Sequence, residues 1–302
     1  MAPKIEKLTE SLKLGEGPFW DQKKKCLYFC GMVEENIHKY DPRTKKHTKA
    51  YVGGGNVSMV IPVKGKENKF VVSLDRSVCT ATWDGESDKV TDIKKIVEVE
   101  PGTSHVFNDG KCDHTGRLWI GTMGKKATDL NIPEKQGTLY SIEKKTVKSH
   151  RREIGIANGL AFDPKRNKMY YIDSFAGTVD QYDIDFTTGT LSNLQPICNR
   201  STHGLDHCLF DGMTIDSNGN LWVAVFNGSR VIQIDPRVPD KLLQTIEMPV
   251  PHVTSVAFGG DNFDELYVTT ARFSPTPGPL EGCTFRVTGI NAKGLPPDEF
   301  VE

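Results

Sequence analysis

Oxygen-bearing side chains recur at one position of a repeated sequence phrase. Asp211 opens the stretch FDGMTIDSNGNLWVAV, five residues before a turn-starting Asp216 and ten before the strand-like run LWVAV. Counting back five residues from the equivalent turn positions gives Glu16, Asn108 and Asn158, and the approximate equivalents in the second and sixth copies are Ser58 and Ser255. Each of these six residues offers an oxygen atom, which is the donor type that a hard metal ion prefers.

Two carboxylates and two amides directed at one point are costly, because like charges resist joint ionisation and buried polar groups lose their hydration. A divalent cation would relieve both costs. With no Cys or His at this position, calcium or magnesium is favoured, with manganese or zinc as alternatives. A plainer interpretation is that acidic and amide residues only begin hairpins. That interpretation accounts for the turn residues Asp21, Asp113, Asp163 and Asp216. It does not account for the oxygen-bearing residue five positions earlier.

Three histidines lie just upstream of these residues and are candidates for general acid or base groups, namely His105, His203 and His207. Loop histidines are more often solvent-facing or capping residues. Two loops, 124–137 and 271–282, are long for hairpin connections, and we expect one or both to cover the candidate site.

The elements that must position these residues repeat six times along the chain. The second strand of each repeat is LYFCG, FVVSL, LWIGT, MYYID, LWVAV or LYVTT, and successive copies start 43 to 52 residues apart. This period fits four strands with turns. The sequence therefore predicts an all-β fold, a six-bladed β-propeller with four-stranded antiparallel blades around a central channel, as a single domain over 1–302. We expect the segment 3–14 to pair with the last blade. A two-domain β-sandwich is the competing architecture, but it does not suit six repeats.

Composition limits the function classes. The 302 residues carry a formal net charge of -1, so no basic excess is present for a nucleic acid or an anionic membrane. The N-terminal residues MAPKIEKLTESLK lack the apolar run of a secretory signal, which predicts a cytoplasmic protein. Seven cysteines without CxxC spacing indicate reduced, packed thiols. We expect a monomer whose partner is a small-molecule substrate.

Several segments together resemble one known family. LGEGPFW, FNDGKCDHTGRLWIGTM, ANGLAF, FDGMTID and GNLWVAVFNGSRVIQIDP occur in the order and at the intervals found in the senescence-marker, regucalcin and gluconolactonase family, over nearly the whole chain. The resemblance is greatest to the luciferin-regenerating branch of that family. It implies a six-bladed propeller with one axial divalent metal. It also implies the ligands Glu16, Asn158 and Asp211, with Asn108 contacting substrate or water.

One departure from the family pattern bears on the substrate. Sugar-lactone hydrolases of this family carry an arginine two residues before the Asn of NDG and an acidic residue soon after GTM, and this chain has Val106 and Lys126 there. An apolar Val106 beside Phe107 favours a flatter, more aromatic substrate than a sugar lactone. We expect Val106, Phe107, Asn108, Asp109 and Lys126 to form the substrate-binding set, with Phe226 also shaping the pocket.

The resulting hypothesis is a metal-dependent hydrolase in which Asp211 and Asn108 are catalytic. Asp211 would bind the metal and accept the proton of water, and Asn108 would orient the substrate oxygen, with Asp109 in support. Two further classes stay open: a calcium-binding regulatory protein in which the same ligands are structural, and an interaction platform. Within the enzymes, a sugar-lactone hydrolase remains an alternative.

Overall fold

Six antiparallel β-sheets of four strands each make up the computed structural model, which describes residues 2–124 and 132–302. The chain forms two compact halves. The first half comprises Glu16–Ala157 and Pro297–Glu302, and the second comprises Asn158–Pro296 with the residues up to Gly15. Three of the six sheets are centred in each half. The expectation of a single domain over 1–302 stays a prediction.

The sheets of the first half follow the chain in order, each with its strands side by side as they occur in sequence. The first sheet contains β2 (Gly15–Asp21), β3 (Cys26–Gly31), β4 (Asn36–Asp41) and β5 (Lys46–Tyr51). The second contains β6 (Val60–Pro62), β7 (Lys69–Leu74), β8 (Ser77–Thr82) and β9 (Thr91–Glu98). The third contains β10 (Val106–Cys112), β11 (Leu118–Met123), β12 (Gly137–Glu143) and β13 (Thr146–Ile154).

The second half has the same plan, with one addition at its end. Its first sheet contains β14 (Ala157–Asp163), β15 (Lys168–Asp173), β16 (Thr178–Asp185) and β17 (Thr190–Asn199), after which comes a short 3-10 helix, η1 (Arg200–His203). The next sheet contains β18 (Leu209–Ile215), β19 (Leu221–Phe226), β20 (Arg230–Ile234) and β21 (Leu242–Glu247). The last contains β22 (Val253–Gly259), β23 (Glu265–Thr270), β24 (Phe285–Thr288) and the N-terminal β1 (Lys4–Lys7).

The N-terminal strand completes the last sheet. β1 pairs antiparallel with β24, so that Lys4 lies opposite Thr288 and Lys7 opposite Phe285. This pairing confirms the expectation for the segment 3–14. Six four-stranded antiparallel sheets, one of them closed by the N-terminal strand, make the fold a six-bladed β-propeller and confirm the predicted fold class.

Two of the turn-starting aspartates accept hydrogen bonds from the tryptophans of the strands that follow them. Asp113 Oδ2 accepts a 2.8 Å hydrogen bond from Trp119 Nε1, and Asp216 Oδ2 accepts one of 3.0 Å from Trp222 Nε1. The other carboxylate oxygen of each aspartate accepts from backbone N–H groups of its own turn. The plainer, structural interpretation of these turn residues is therefore correct: each one connects a hairpin turn to the sheet core.

The core includes strands that are buried along their whole length, such as β3, β11 and β14. The second position of the repeated strand is aromatic in five of the six copies and is buried in all six, at Tyr28, Val71, Trp119, Tyr170, Trp222 and Tyr267. All seven cysteines are buried and free, which confirms packed, reduced thiols. Within residues 2–124 and 132–302, no helix has the length and apolarity needed to span a bilayer.

Candidate functional site

Bulges interrupt the first strands of two sheets at the predicted site residues. In β10 the pairing with β11 shifts between Phe107 and Gly110, and in β18 the pairing with β19 shifts between Phe210 and Met213. Asn108 and Asp211 lie inside these shifts. A bulge adds an unpaired residue and re-aims the side chains beside it, and such irregularities are common next to functional sites. The local backbone therefore distinguishes these two residues from ordinary strand positions.

In the second half, glycines bring the predicted positions of consecutive sheets together. Gly159 follows Asn158, and a Cβ atom there would lie 2.7 Å from the backbone oxygen of Asp211. Gly212 follows Asp211, and a Cβ atom there would collide with the side chain of Ser255. Only a residue without a side chain permits this approach. Asn158, Asp211 and Ser255 are consequently neighbours on the first strands of three successive sheets.

Asn158 has an oxygen atom available for a ligand. Its Nδ2 donates a 3.0 Å hydrogen bond to Ser174 Oγ, while its Oδ1 is buried and has no hydrogen-bond partner within the described part of the chain. A buried, unpartnered amide oxygen is unfavourable and calls for an explanation. A cation bound there would supply the missing interaction, so this side of the site fits the oxygen-donor chemistry expected for calcium or magnesium.

The first half contains the equivalent arrangement around Glu16. Glu16 is followed by Gly17, which adopts φ 55°, and a Cβ atom at that position would lie 2.7 Å from the backbone oxygen of Ser58. Glu16 Oε2 accepts a 3.3 Å hydrogen bond from the Gly17 N–H. Ser58 is held by Ser73, with 2.9 Å between their Oγ atoms. Glu16 and Ser58 are therefore adjacent, as the repeat predicts.

Asn108 is oriented by a single strong contact. Its Nδ2 donates a 2.8 Å hydrogen bond to the backbone oxygen of Ala157, which leaves Oδ1 as the group that can turn toward a ligand. Asn108 and Asp109 are both 8% exposed. The Asp109 carboxylate accepts a 2.8 Å hydrogen bond from the Gly110 N–H. Burial raises the pKa of Asp109, and the positive charge of Lys111 partly offsets that effect.

Lys111 interacts electrostatically with two carboxylates. Burial lowers the pKa of Lys111, while the charges of Asp109 and Asp298 favour its protonated form. Asp298 itself has its pKa raised to about 6, chiefly because it is removed from solvent. The first half thus contains a partly buried acid–lysine–acid cluster that includes Asp109, the residue after Asn108.

The remaining predicted substrate residues differ in their surroundings. Val106 and Phe107 are each 1% exposed, and Phe107 packs in the hydrophobic core of the first half. Lys126 lies outside the described residues, as does half of the loop 124–137. The roles of all three in substrate binding stay predictions.

The three histidines have separate environments. His105 Nδ1 is 2.8 Å from Glu100 Oε2, which in turn belongs to a cluster with Tyr140. His207 is exposed and its backbone oxygen accepts from Asn227 Nδ2. His203 ends η1, and its Nε2 is buried without a hydrogen-bond partner in the described structure. General acid or base roles for these residues remain untested predictions.

A group of aromatic side chains lies in the sheet that contains β18, at the end where Asp211 is found. Phe226 pairs with Leu209, two residues before Asp211, and its ring lies 4.8 Å from that of His252 and 6.3 Å from that of Phe273. Glu281 Oε2 approaches His252 Nδ1 to 3.5 Å. Burial lowers the pKa of His252 despite this carboxylate, so the imidazole is neutral at neutral pH.

Sequence reasoning identified Phe226 in this group but missed His252, Phe273 and Glu281. The last two lie in the loop 271–282, which was expected to cover the site. In the sequence, the length of that loop was the signal that it could contribute residues to the site. Its packing on Phe226 depends on contacts between residues far apart in sequence, which composition and spacing do not reveal.

Comparison with known proteins gives a consistent result over the whole chain. Residues 14–272 match the family described as SMP-30/Gluconolactonase/LRE-like region. Regucalcin of Xenopus laevis is 33% identical over 299 residues, covering 97% of this chain and 96% of the relative. Regucalcin of Homo sapiens is 34% identical over 301 residues, with the same coverage.

Solved structures include an enzyme and a calcium-binding protein with this fold. A luciferin-regenerating enzyme is 44% identical, with a TM-score of 0.94 and complete coverage of both chains. A calcium-binding regucalcin of Agrobacterium tumefaciens is 24% identical, with a TM-score of 0.85 over 98% of this chain and 96% of that one. The similarity to the Agrobacterium tumefaciens protein shows a shared fold only.

Proposed function

Since the chain belongs to the SMP-30/gluconolactonase/LRE-like family, we propose that it is a divalent-metal-dependent hydrolase acting on an aromatic heterocyclic substrate of the oxyluciferin type. The observation that carries this proposal is the buried Oδ1 of Asn158, which has no hydrogen-bond partner among the described residues and adjoins Asp211 through Gly159. An oxygen atom without a partner beside a carboxylate supports a cation-binding role.

The proposed ligands are Glu16, Asn158 and Asp211, as the family resemblance implies. When bound, a divalent cation polarises a carbonyl group and lowers the pKa of water. Asp211 accepts a proton from water in this proposal. The bond from Asn108 Nδ2 to Ala157 holds the amide so that Asn108 orients a substrate oxygen. The bulges of β10 and β18 place Asn108 and Asp211 outside regular strand pairing, which supports these two roles.

The aromatic group of the second half supports the choice of substrate. Phe226, Phe273 and the neutral ring of His252 present flat apolar surfaces near the Asp211 end of the sheet. Planar rings bind such surfaces through burial and edge or face contacts, whereas a polyol requires hydrogen-bond donors. The 44% identity to a luciferin-regenerating enzyme agrees with this choice. The family-implied product is a cyano-hydroxybenzothiazole, which recondenses with cysteine to luciferin.

The test is turnover by metal-stripped protein on a panel of aldonolactones and aromatic thiazolone substrates, with calcium, magnesium, manganese or zinc added back. We expect metal-restored turnover confined to the aromatic substrates, and its loss in Asp211→Asn. Asp88→Asn, an exposed carboxylate in the first half, is the matched control. Turnover of aldonolactones alone would instead favour a sugar-lactone hydrolase. Tight calcium binding with no turnover on either class would favour a calcium-binding regulatory protein, the function suggested by the regucalcin relatives.

A further inference from the structure

A second group of potential metal ligands lies in the second half, beyond the end of β17. Cys198 is near the end of that strand, His203 ends η1, and Asp240 lies in the loop between β20 and β21. One sulfur, one nitrogen and one oxygen atom of these residues lie within 4.8 Å of one another. Three different ligand types thus converge from three separate segments of the chain.

Cys198 and the Nε2 atom of His203 are both buried. His203 Nε2 is buried and has no hydrogen-bond partner in residues 2–124 and 132–302. Cys198 is 2% exposed, and burial raises the pKa of its thiol to about 12. A protonated, enclosed thiol is a poor nucleophile, which argues against catalysis by a Cys–His–Asp triad. A buried imidazole nitrogen without a partner nevertheless requires an explanation.

Neighbouring groups hold the three segments in place. Asp240 Oδ1 accepts hydrogen bonds from Asn199 N at 2.7 Å and from Thr202 Oγ1 at 2.9 Å. Asn199 Oδ1 accepts from Ser201 N at 3.0 Å and so caps η1. The backbone N–H of Asp240 donates to Ile197 O at 2.9 Å. Such outer contacts fix the orientation of ligands and strengthen metal binding.

We propose that Cys198, His203 and Asp240 form a site for Zn²⁺ or a similar borderline transition-metal ion, with water as the fourth ligand. A mixed sulfur, nitrogen and oxygen set in tetrahedral geometry is typical of zinc, whereas calcium and magnesium select oxygen donors. One thiolate and one carboxylate with a neutral imidazole balance the charge of a divalent ion. Binding releases the thiol proton to solvent.

The position of this site gives the ion a structural role. Residues 199–208 connect β17 to β18, the strand that carries Asp211. Arg200, in the same segment, donates from Nη1 to Ser174 O at 3.1 Å and to Cys208 O at 2.9 Å. Ser174 also accepts the hydrogen bond from Asn158. An ion at Cys198 therefore fastens the segment that supports both Asn158 and Asp211. This inference does not depend on the proposed hydrolase activity.

Cobalt is the probe that reports on the ligands directly. Co²⁺ is added to the metal-stripped full chain under reducing conditions, and the absorption spectrum is recorded. We expect a thiolate-to-cobalt charge-transfer band in the near ultraviolet, tetrahedral bands in the visible range, and loss of both on addition of Zn²⁺. Excess Ca²⁺ should leave the bands unchanged. A cobalt spectrum without the thiolate band would overturn the proposal.

Variants assign the bands to these three residues. Cys198→Ser should abolish the charge-transfer band, and His203→Gln and Asp240→Asn should weaken Co²⁺ binding at least tenfold. His207→Gln changes a neighbouring exposed histidine and should bind Co²⁺ like the parent chain. Asp211→Asn should keep the thiolate-to-cobalt band unchanged, which separates this site from the proposed hydrolase cation. If Cys198→Ser fails to fold, the two other ligand variants still decide the matter. Unchanged affinity in both would refute the assignment.

Discussion

Asn158 donates a 3.0 Å hydrogen bond to Ser174 Oγ, and this bond fixes its Oδ1 in a buried position without a hydrogen-bond partner in the described chain. We expect Asn158→Ala to abolish high-affinity binding of calcium or manganese. Ser174→Ala should weaken it about tenfold, because loss of an outer contact leaves the ligand free to rotate. Isothermal titration of metal-stripped protein measures both. Ser217→Ala, an exposed serine of the same half, is the control and should bind normally.

Gly159 should be irreplaceable by alanine. Its added Cβ atom would lie 2.7 Å from Asp211 O and 2.6 Å from Met213 Cβ, so the first strands of two sheets would have to separate. We expect Gly159→Ala to lower the free energy of unfolding by about 1–3 kcal/mol, as overpacking does. The affinity of Gly159→Ala for a divalent cation should fall as well, because the strands that carry Asn158 and Asp211 are moved apart. Gly278→Ala, where the nearest atom is 3.9 Å away, should be nearly neutral in denaturant unfolding.

Asp216 should contribute to stability rather than to chemistry. Its Oδ2 accepts hydrogen bonds from Trp222 Nε1 and from Gln233 Nε2, both in the buried part of the sheet. Asp216→Ala leaves these donors unsatisfied and should cost about 3 kcal/mol in the free energy of unfolding. Asp88→Ala, an exposed residue, should change that free energy by less than about 0.5 kcal/mol. Equal denaturation midpoints for the two variants would contradict this role.

Phe226 should affect substrate affinity more than turnover. Removing its ring in Phe226→Ala eliminates apolar contact area worth about 1–2 kcal/mol, which corresponds to a five- to thirtyfold rise in KM for an aromatic substrate. We expect kcat to change little, because Phe226 provides no proton or charge. Leu243→Ala, an exposed residue on β21 of the same sheet, is the control for steady-state kinetics. A fall in kcat with unchanged KM would show that Phe226 does not bind substrate.

Asp298 should make stability depend on pH between about 4 and 6. Its pKa is raised from 3.8 to about 6 by burial, so the folded protein holds this proton more tightly than the unfolded chain does. The resulting stabilisation is complete below pH 4 and is lost as the pH rises through 6. Asp298→Asn should therefore be more stable than the parent by about 1–2 kcal/mol at pH 7.5, and equal to it near pH 4. Urea unfolding at both pH values provides the measurement.

Much of the architecture follows from the sequence because the repeat is periodic. The strands LWIGT and LWVAV carry their aromatic residue at the same phase, and the turn before each of these two strands begins with an aspartate. These local signals determine strands and hairpins. The repeat also predicts that Asn158 and Asp211 are neighbours, because residues at the same repeat position lie at the same place on consecutive sheets.

Features that depend on exact pairing could not be predicted. The bulges at Asn108 and Asp211 arise from a one-residue difference between partner strands, which alternation of apolar residues does not encode. The contact of Phe226 with Phe273 joins a strand to a distant loop. Likewise, Cys198 and Asp240 approach each other from different sheets, and no motif links them in sequence. Tertiary contacts of this kind appear only in the folded chain.

The pairing of β1 with β24 also has a consequence for biosynthesis. Lys4 lies opposite Thr288, so the last sheet is completed only after all the residues between these two strands have left the ribosome. Until then β1 has no partner strand and β23 presents an open edge, the kind of surface that is prone to aggregation or chaperone binding. Contacts between opposite ends of a chain form slowly. A rearranged gene that encodes β1 directly after β24 would turn this late step into the formation of a local hairpin and should shorten the vulnerable period.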